Sequence, residues 1–132
     1  GNNRTHMIRI PDPGRFELRL MDGSANPYLL QASVLASGIY GLKNKSDPGK
    51  PLHCNMYEDH EKYPDLPKLP DELEQSLDQL ENNKEMNDAF GKEVIKSYIK
   101  LRRSEIKEFK LKENFDKKQS ITNWEKNNTL DC

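Results

Sequence analysis

The stretch Gly14 to Met21, GRFELRLM, alternates charge and apolar character. Arg15, Glu17 and Arg19 take every second position, and Phe16, Leu18 and Leu20 fill the gaps. A period of two is the pattern of a half-buried strand, in which side chains two apart point the same way, about 6 to 7 Å from each other. The three charged groups therefore line one face over about 13 Å. Upstream, THMIRI (5–10) sets Ile8 and Ile10 on one face and Arg9 on the other. Pro11, Asp12, Pro13 and Gly14 separate the two runs and predict a turn. The spacing predicts an antiparallel hairpin with strands over 5–10 and 15–21. Arg4 does not share the alternation with Arg9; it precedes the strand or sits at a bulge.

Downstream the period changes. Asn26 can cap a helix whose first position is Pro27. Leu30, Val34, Leu35, Gly38, Ile39 and Leu42 then mark a stripe, widened by Leu29 and Ala36, and predict a buried helix over 26–45. The small residues Ala32, Ser33, Ala36, Ser37 and Gly38 permit close packing on a sheet. Ser46 to Pro51 ends that helix, and 52–70, with Pro64, Pro67 and Pro70, predicts an extended crossing loop. Helices are predicted over 71–109: one carrying Leu73, Leu77 and Leu80, a short turn closed by Gly91, and one over 92–109 with Val94, Tyr98 and Leu101 beside Ile95, Ile99 and Ile106. Residues 110–132 predict a polar, lysine-rich tail with Phe115 and Trp124 as anchors. The expected class is α+β: an N-terminal antiparallel strand pair over 1–22, then a mainly helical remainder. No internal repeat is visible.

With 132 residues, 33% hydrophobic and 33% charged, the chain has a thin core for its surface. A mean hydropathy of −1.00 suits a segment or a subunit that leans on neighbours. The patterned segment begins almost at once, as in a chain that starts within a fold. Lys and Arg number 21 against 22 Asp and Glu, so no global basic field points to nucleic acid. No apolar run approaches a membrane span, and no signal-peptide pattern is present. Cys54 and Cys132 are isolated and lack metal-ligand spacing, which suits a reduced, cytoplasmic setting. Without a secretory signal, the Asn-x-Ser/Thr triplets at Asn3, Asn44 and Asn127 are chance matches.

Two accounts of the charged face stand. One is a solvated sheet face held by cross-strand ion pairs. The other is an anion and metal site. Arginine forks match phosphate and carboxylate oxygens by two-point contacts, and a carboxylate between them can hold a divalent cation that bridges phosphates. Those parts suit phosphoryl transfer, where positioning and charge neutralisation carry the catalysis. Arg9 can add a further guanidinium.

The linked elements Asn3-Arg4, Ile8-Arg9-Ile10-Pro11, Arg15-x-Glu17-x-Arg19 and Asp22-x-x-Ala25-Asn26-Pro27-Tyr28-Leu29 resemble the C-terminal part of the glutamine synthetase catalytic domain. The likeness is strong to about residue 57 and more diffuse over the later helices. The wording NNRTHMIRIPDPGRFELRL and the ending NTLDC resemble the type III (GlnT-like) branch, which includes glutamate–methylamine ligases. The resemblance implies an ATP-dependent glutamate–ammonia ligase that makes glutamine through a γ-glutamyl phosphate, with Mg²⁺ or Mn²⁺. It implies that Arg4 contacts both ATP phosphate and glutamate, that Arg9 and, less directly, Arg15 bind ATP, that Glu17 ligates the metal serving the nucleotide phosphates, and that Arg19 binds glutamate. Arg4 and Arg19 are thus the implied catalytic arginines. Many relatives carry a longer turn between the two strands, with a lysine that touches the nucleotide; Pro11 to Gly14 holds no lysine.

The resemblance also implies partners: the rest of the same polypeptide, identical subunits in a ring-shaped homo-oligomer, and glutamate, ammonia or methylamine, and ATP as substrates. Most other metal ligands and the ammonium site lie upstream in the family, so the 132 residues alone are expected to be inactive. Methylamine ligation is the same-class alternative, and a non-catalytic assembly or regulatory module is the alternative of another class. His6, His53 and His60 are not spaced as a metal site, Tyr28 is expected in the core, and Trp124 is expected to pack. The run Lys107, Lys110, Lys112, Lys117 and Lys118 is interleaved with acids and predicts a solvated face.

Overall fold

The computed structural model describes residues 7–21, 23–50, 54–112 and 121–129. Its strands are β1 (Ile8–Asp12) and β2 (Arg15–Leu18), paired antiparallel. Ile8 faces Leu18, Arg9 faces Glu17 and Asp12 faces Arg15. Between the last two pairs β1 advances three residues while β2 retreats two. One extra residue is therefore inserted in β1, at the segment holding Pro11. Proline has no N–H to give the ladder, which is why it belongs at such a bulge.

β1 thus runs through Pro11 and Asp12, two residues further than the predicted 5–10. The turn shrinks to Pro13 and Gly14. Proline fixes its own φ, and Gly14 has φ 79°, the Pro-Gly order that a type II turn requires. β2 ends at Leu18, short of the predicted 21, although the Arg19 N–H still donates to the Met7 carbonyl at 2.9 Å.

Helix α1 (Pro27–Asn44) starts where the sequence places it. The Asn26 side-chain oxygen accepts from the N–H groups of Tyr28 and Leu29, and Pro27 follows at the first helical position. Lys45 closes it in the left-handed conformation with φ 49°. The expected burial is not found in this chain: α1 has no buried residue, and Leu42 is 82% exposed. Among the larger helices α4 packs on it, and seven residues cannot cover eighteen. Tyr28, expected in the core, is exposed for the same reason.

The expected crossing loop contains a short helix, α2 (Met56–Asp59), that runs into a 3-10 turn over His60–Lys62. Asn55 caps it through the Tyr57 N–H, and Asp59 accepts from the Asn55 N–H in return. This exchange of local hydrogen bonds starts a helix with no apolar stripe to announce it.

Helices α3 (Leu73–Asn82), α4 (Lys84–Phe90) and α5 (Lys92–Lys112) hold the core. Leu77, 2% exposed, meets Ile95 and Ile99, with Leu80, Phe90, Tyr98 and Ile106 packed around them. Asn83 caps α4, and Gly91 breaks to α5 with φ 84°. Val94, Leu101 and Leu73 lie exposed, so the inward stripe of α5 is Ile95, Ile99 and Ile106 with Tyr98 beside them. Arg103 on α5 bridges Asp78 and Glu81 on α3 at 2.7 Å each, and Lys110 reaches Glu74 at 2.5 Å.

The described parts of the expected polar tail are largely helical. α5 extends to Lys112, and α6 (Asn123–Asn128) follows, capped by Thr122. Trp124 stands edge-on to Phe109, with ring centroids 5.5 Å apart, and so packs as expected. Phe115, Lys117, Lys118 and Cys132 lie outside the described residues. No helix among the described residues is long and apolar enough to cross a membrane.

Candidate functional site

The hairpin has two chemically different faces. Ile8, Ile10, Phe16 and Leu18 share one, by alternation and register. Arg9, Glu17 and Arg15 share the other. The bulge determines a fourth member. Asp12 is three residues from Arg9 and would point away from it in a regular strand. The inserted residue restores it to the charged face, opposite Arg15. Sequence alternation alone misses Asp12; the signal available for it is the proline inside the strand.

Glu17 is the hub. Arg9 Nη1 donates to both Glu17 carboxylate oxygens at 3.0 Å. Arg15 Nη2 stands 3.6 Å from Glu17 Oε1 and 3.6 Å from Asp12 Oδ2, so its guanidinium lies between two carboxylates. The Arg9 hydrogen bond is the main cause holding the Glu17 carboxyl below its ordinary value, with the charges of Arg9, Arg15 and Arg19 acting in the same direction. Arg19 follows two residues after Glu17, its backbone N–H bonded to the Met7 carbonyl. The side chains of Arg9 and Glu17 are 47% and 39% exposed, so a ligand can reach both.

The structure thus brings together Arg9, Arg15, Glu17 and Arg19, four of the five expected site residues. Arg4 lies outside the described residues, as do His6, His53 and Asp22. His60 is exposed in the 3-10 turn, and no group of three His, Cys, Asp or Glu among the described residues is arranged to hold a metal. The face offers the Glu17 carboxylate ringed by guanidiniums, with the Asp12 carboxylate beyond Arg15. That donor set does not cage a cation by itself. It fits a hard cation such as Mg²⁺, which takes one or two protein carboxylates and completes its shell with phosphate oxygens and water. Three guanidiniums against two carboxylates leave a positive excess suited to a phosphate-bearing ligand.

The family described as "Glutamine synthetase, catalytic domain" matches residues 1–128. A glutamine synthetase from Rhizobium meliloti (strain 1021) is 44% identical over 131 residues, covering 99% of this chain. A glutamate–methylamine ligase from Methyloversatilis universalis is 37% identical over 134 residues, again covering 99% of the chain. A solved structure described as a GmaS/ADP complex superposes with a TM-score of 0.76 at 39% identity, covering 100% of this chain and 28% of that one. The chain spans 28% of the length of both curated relatives as well. With the match running over nearly every residue, including the Arg-x-Glu-x-Arg strand and the helix start at Asn26, the chain belongs to the glutamine synthetase catalytic-domain family.

Proposed function

We propose that this chain forms one wall of the active site of an ATP-dependent glutamate–ammonia ligase. The observation that carries this is the Arg9, Arg15, Glu17, Arg19 face of the hairpin, in a chain of this family. Arg9 and Arg15 bind the nucleotide phosphates, Glu17 gives one carboxylate to the divalent metal, and Arg19 holds the glutamate substrate. Arg4 is assigned to both ATP phosphate and glutamate. A divalent metal held by Glu17 would supply neutralisation of the phosphoryl oxygens during transfer to the γ-carboxylate of glutamate. Arg9 and Arg15 stabilise the same developing charge by two-point contacts from a rigid strand pair, where little reorganisation is needed. Ammonia then displaces phosphate and glutamine leaves.

Both apolar faces support the view that this wall is part of a larger domain. Ile10 on the hairpin is 74% exposed, and Leu35, Ile39 and Leu42 form an uncovered stripe on α1. Surfaces of this kind mark interfaces. We assign their cover to the remainder of the longer catalytic domain, with identical subunits in a ring completing the site. The 132 residues alone are therefore inactive.

Methylamine as the acceptor is the second reading, favoured by the 37% identity to the glutamate–methylamine ligase. The test is turnover by the complete enzyme carrying this segment, with ATP, glutamate and either ammonia or methylamine. ATP-dependent glutamine formation that falls at least a hundredfold in Glu17→Ala supports the primary reading. γ-Glutamylmethylamide as the main product moves the assignment to the second. No product with either amine, or a Glu17→Ala enzyme with unchanged metal dependence, refutes the site assignment.

A further inference from the structure

Asp12 is the charged residue of the hairpin to which the proposed function gives no part. It reaches the charged face because β1 gains a residue at the segment holding Pro11, and the register then sets it directly opposite Arg15. The turn Pro13-Gly14, with Gly14 at φ 79°, joins the two residues. The backbone thus sets this pair. Asp12 Oδ2 lies 3.6 Å from Arg15 Nη2, and Glu17 Oε1 lies 3.6 Å from the same nitrogen.

The two ends of the pair differ in stiffness. A short aspartate side chain stays near its own Cα, whereas a long arginine loses far more rotamer freedom wherever it is held. Arg15 is exposed, so packing in a core does not fix it; its guanidinium takes its place from carboxylates. Glu17 is a divided partner, because Arg9 donates to both of its oxygens at 3.0 Å and the proposed function gives it a metal as well. Asp12 is assigned no ligand, and its carboxylate is available to Arg15.

We propose that Asp12 is a positioning residue, which holds the Arg15 guanidinium in the orientation that meets the nucleotide. This rests on the assignment of Arg15 to the nucleotide. Charge alone makes the opposite demand: a carboxylate near a polyphosphate repels it, so an Asp12 without a positioning part would weaken nucleotide binding. The direction of the change when the carboxylate is removed therefore separates positioning from bystander charge.

The probe is ADP binding to the complete enzyme, measured by titration calorimetry for Asp12→Asn, Arg15→Gln and the double variant. Asparagine keeps the shape of aspartate and removes its charge. From the usual worth of an exposed ion pair, Asp12→Asn is expected to weaken ADP binding about two- to fivefold. In the Arg15→Gln background the same substitution should give no weakening, since no guanidinium remains to be held. A general loosening of the turn would not produce that non-additivity. Circular dichroism on each variant reports whether the fold is kept. If folded Asp12→Asn enzyme binds ADP as tightly as the unaltered enzyme or more tightly, the positioning role is wrong while the nucleotide site stands. Equal weakening in both backgrounds also overturns it, because Asp12 then acts without Arg15. If Arg15→Gln leaves ADP binding unchanged, the assignment of Arg15 to the nucleotide itself falls.

Discussion

Leu77→Ala tests whether α3, α4 and α5 own a core of their own. Leu77 is 2% exposed and meets Ile95 and Ile99, the two other buried apolar residues among those described. Burying a leucine side chain is worth about 1.5 to 3 kcal/mol in transfer alone, and truncation to alanine adds a cavity term that brings measured losses to about 2 to 5 kcal/mol. The size of the cavity term depends on whether neighbours can move in. Leu80, Phe90, Tyr98 and Ile106 surround the site but are only partly buried, so they have solvent-side freedom to shift. The expected loss therefore lies in the lower half of the range, about 2 to 3 kcal/mol. Urea unfolding of the chain followed at 222 nm reads it, and Leu77→Met, nearly equal in volume, should cost less than about 1.5 kcal/mol. A loss below about 1 kcal/mol for Leu77→Ala would mean that the three helices are not packed around this side chain.

Gly14→Ala should cost about 1 kcal/mol or more, because φ is 79° and a Cβ there meets nothing within 4 Å; the cost is backbone strain alone, and in the complete enzyme it should also weaken ADP binding, measured by calorimetry, since Arg15 follows the turn. Arg103→Gln breaks the bridge to Asp78 and Glu81, but the arginine is 40% exposed, so the loss should be under about 1 kcal/mol and should vanish near 1 M salt in the same unfolding assay. Thr122→Ala removes the capping box of α6, in which Thr122 N–H donates to Glu125 at 2.7 Å and Glu125 N–H donates to the Thr122 hydroxyl at 3.1 Å; α6 should lose about 1 kcal/mol, seen as changed Trp124 fluorescence. The Thr122 N–H first, and then the Thr122 hydroxyl donating at 2.9 Å, hold the Glu125 carboxyl below its ordinary value of 4.5, so its contribution is complete above that pH and is lost as pH falls through the lowered value; an unchanged Trp124 signal on acidification would contradict this.

How much of this was legible in the sequence depends on how local the cause is. Asn26 and Pro27 specify a helix start by their own side chains, and that start is found where expected. The hairpin is equally local in its alternation, and the charged face of Arg9, Arg15, Glu17 and Arg19 follows from it. The register is not local. It turns on one proline inside β1, which adds a residue and carries Asp12 across to the charged face. The α2 turn was hidden because Asn55 and Asp59 start it by exchanging hydrogen bonds, with no apolar period to read. Burial of α1 was inferred from its stripe, yet a stripe states only that a helix has something to bury. What covers it is a property of the surroundings, and here Leu35, Ile39 and Leu42 remain exposed. For α5 the sequence offered two candidate faces, and packing against Leu77 selected Ile95, Ile99 and Ile106 over Val94 and Leu101.

The question posed by the alternating strand is why it should carry two guanidiniums around one carboxylate. Sheet stability does not require them: a single cross-strand pair such as Arg9 with Glu17 supplies what an exposed ion pair can, and each added arginine raises like-charge repulsion. Asp12 relieves part of that repulsion by holding Arg15. The remaining excess of positive charge sits on a hydrogen-bonded strand pair, with a short turn at one end and the Arg19 to Met7 hydrogen bond at the other. A flexible loop would let such arginines drift to separate partners. A strand pair keeps them aligned and spaced, at a cost in repulsion that an anion removes on arrival. Rigid placement of surplus charge is the preorganisation that phosphoryl transfer uses.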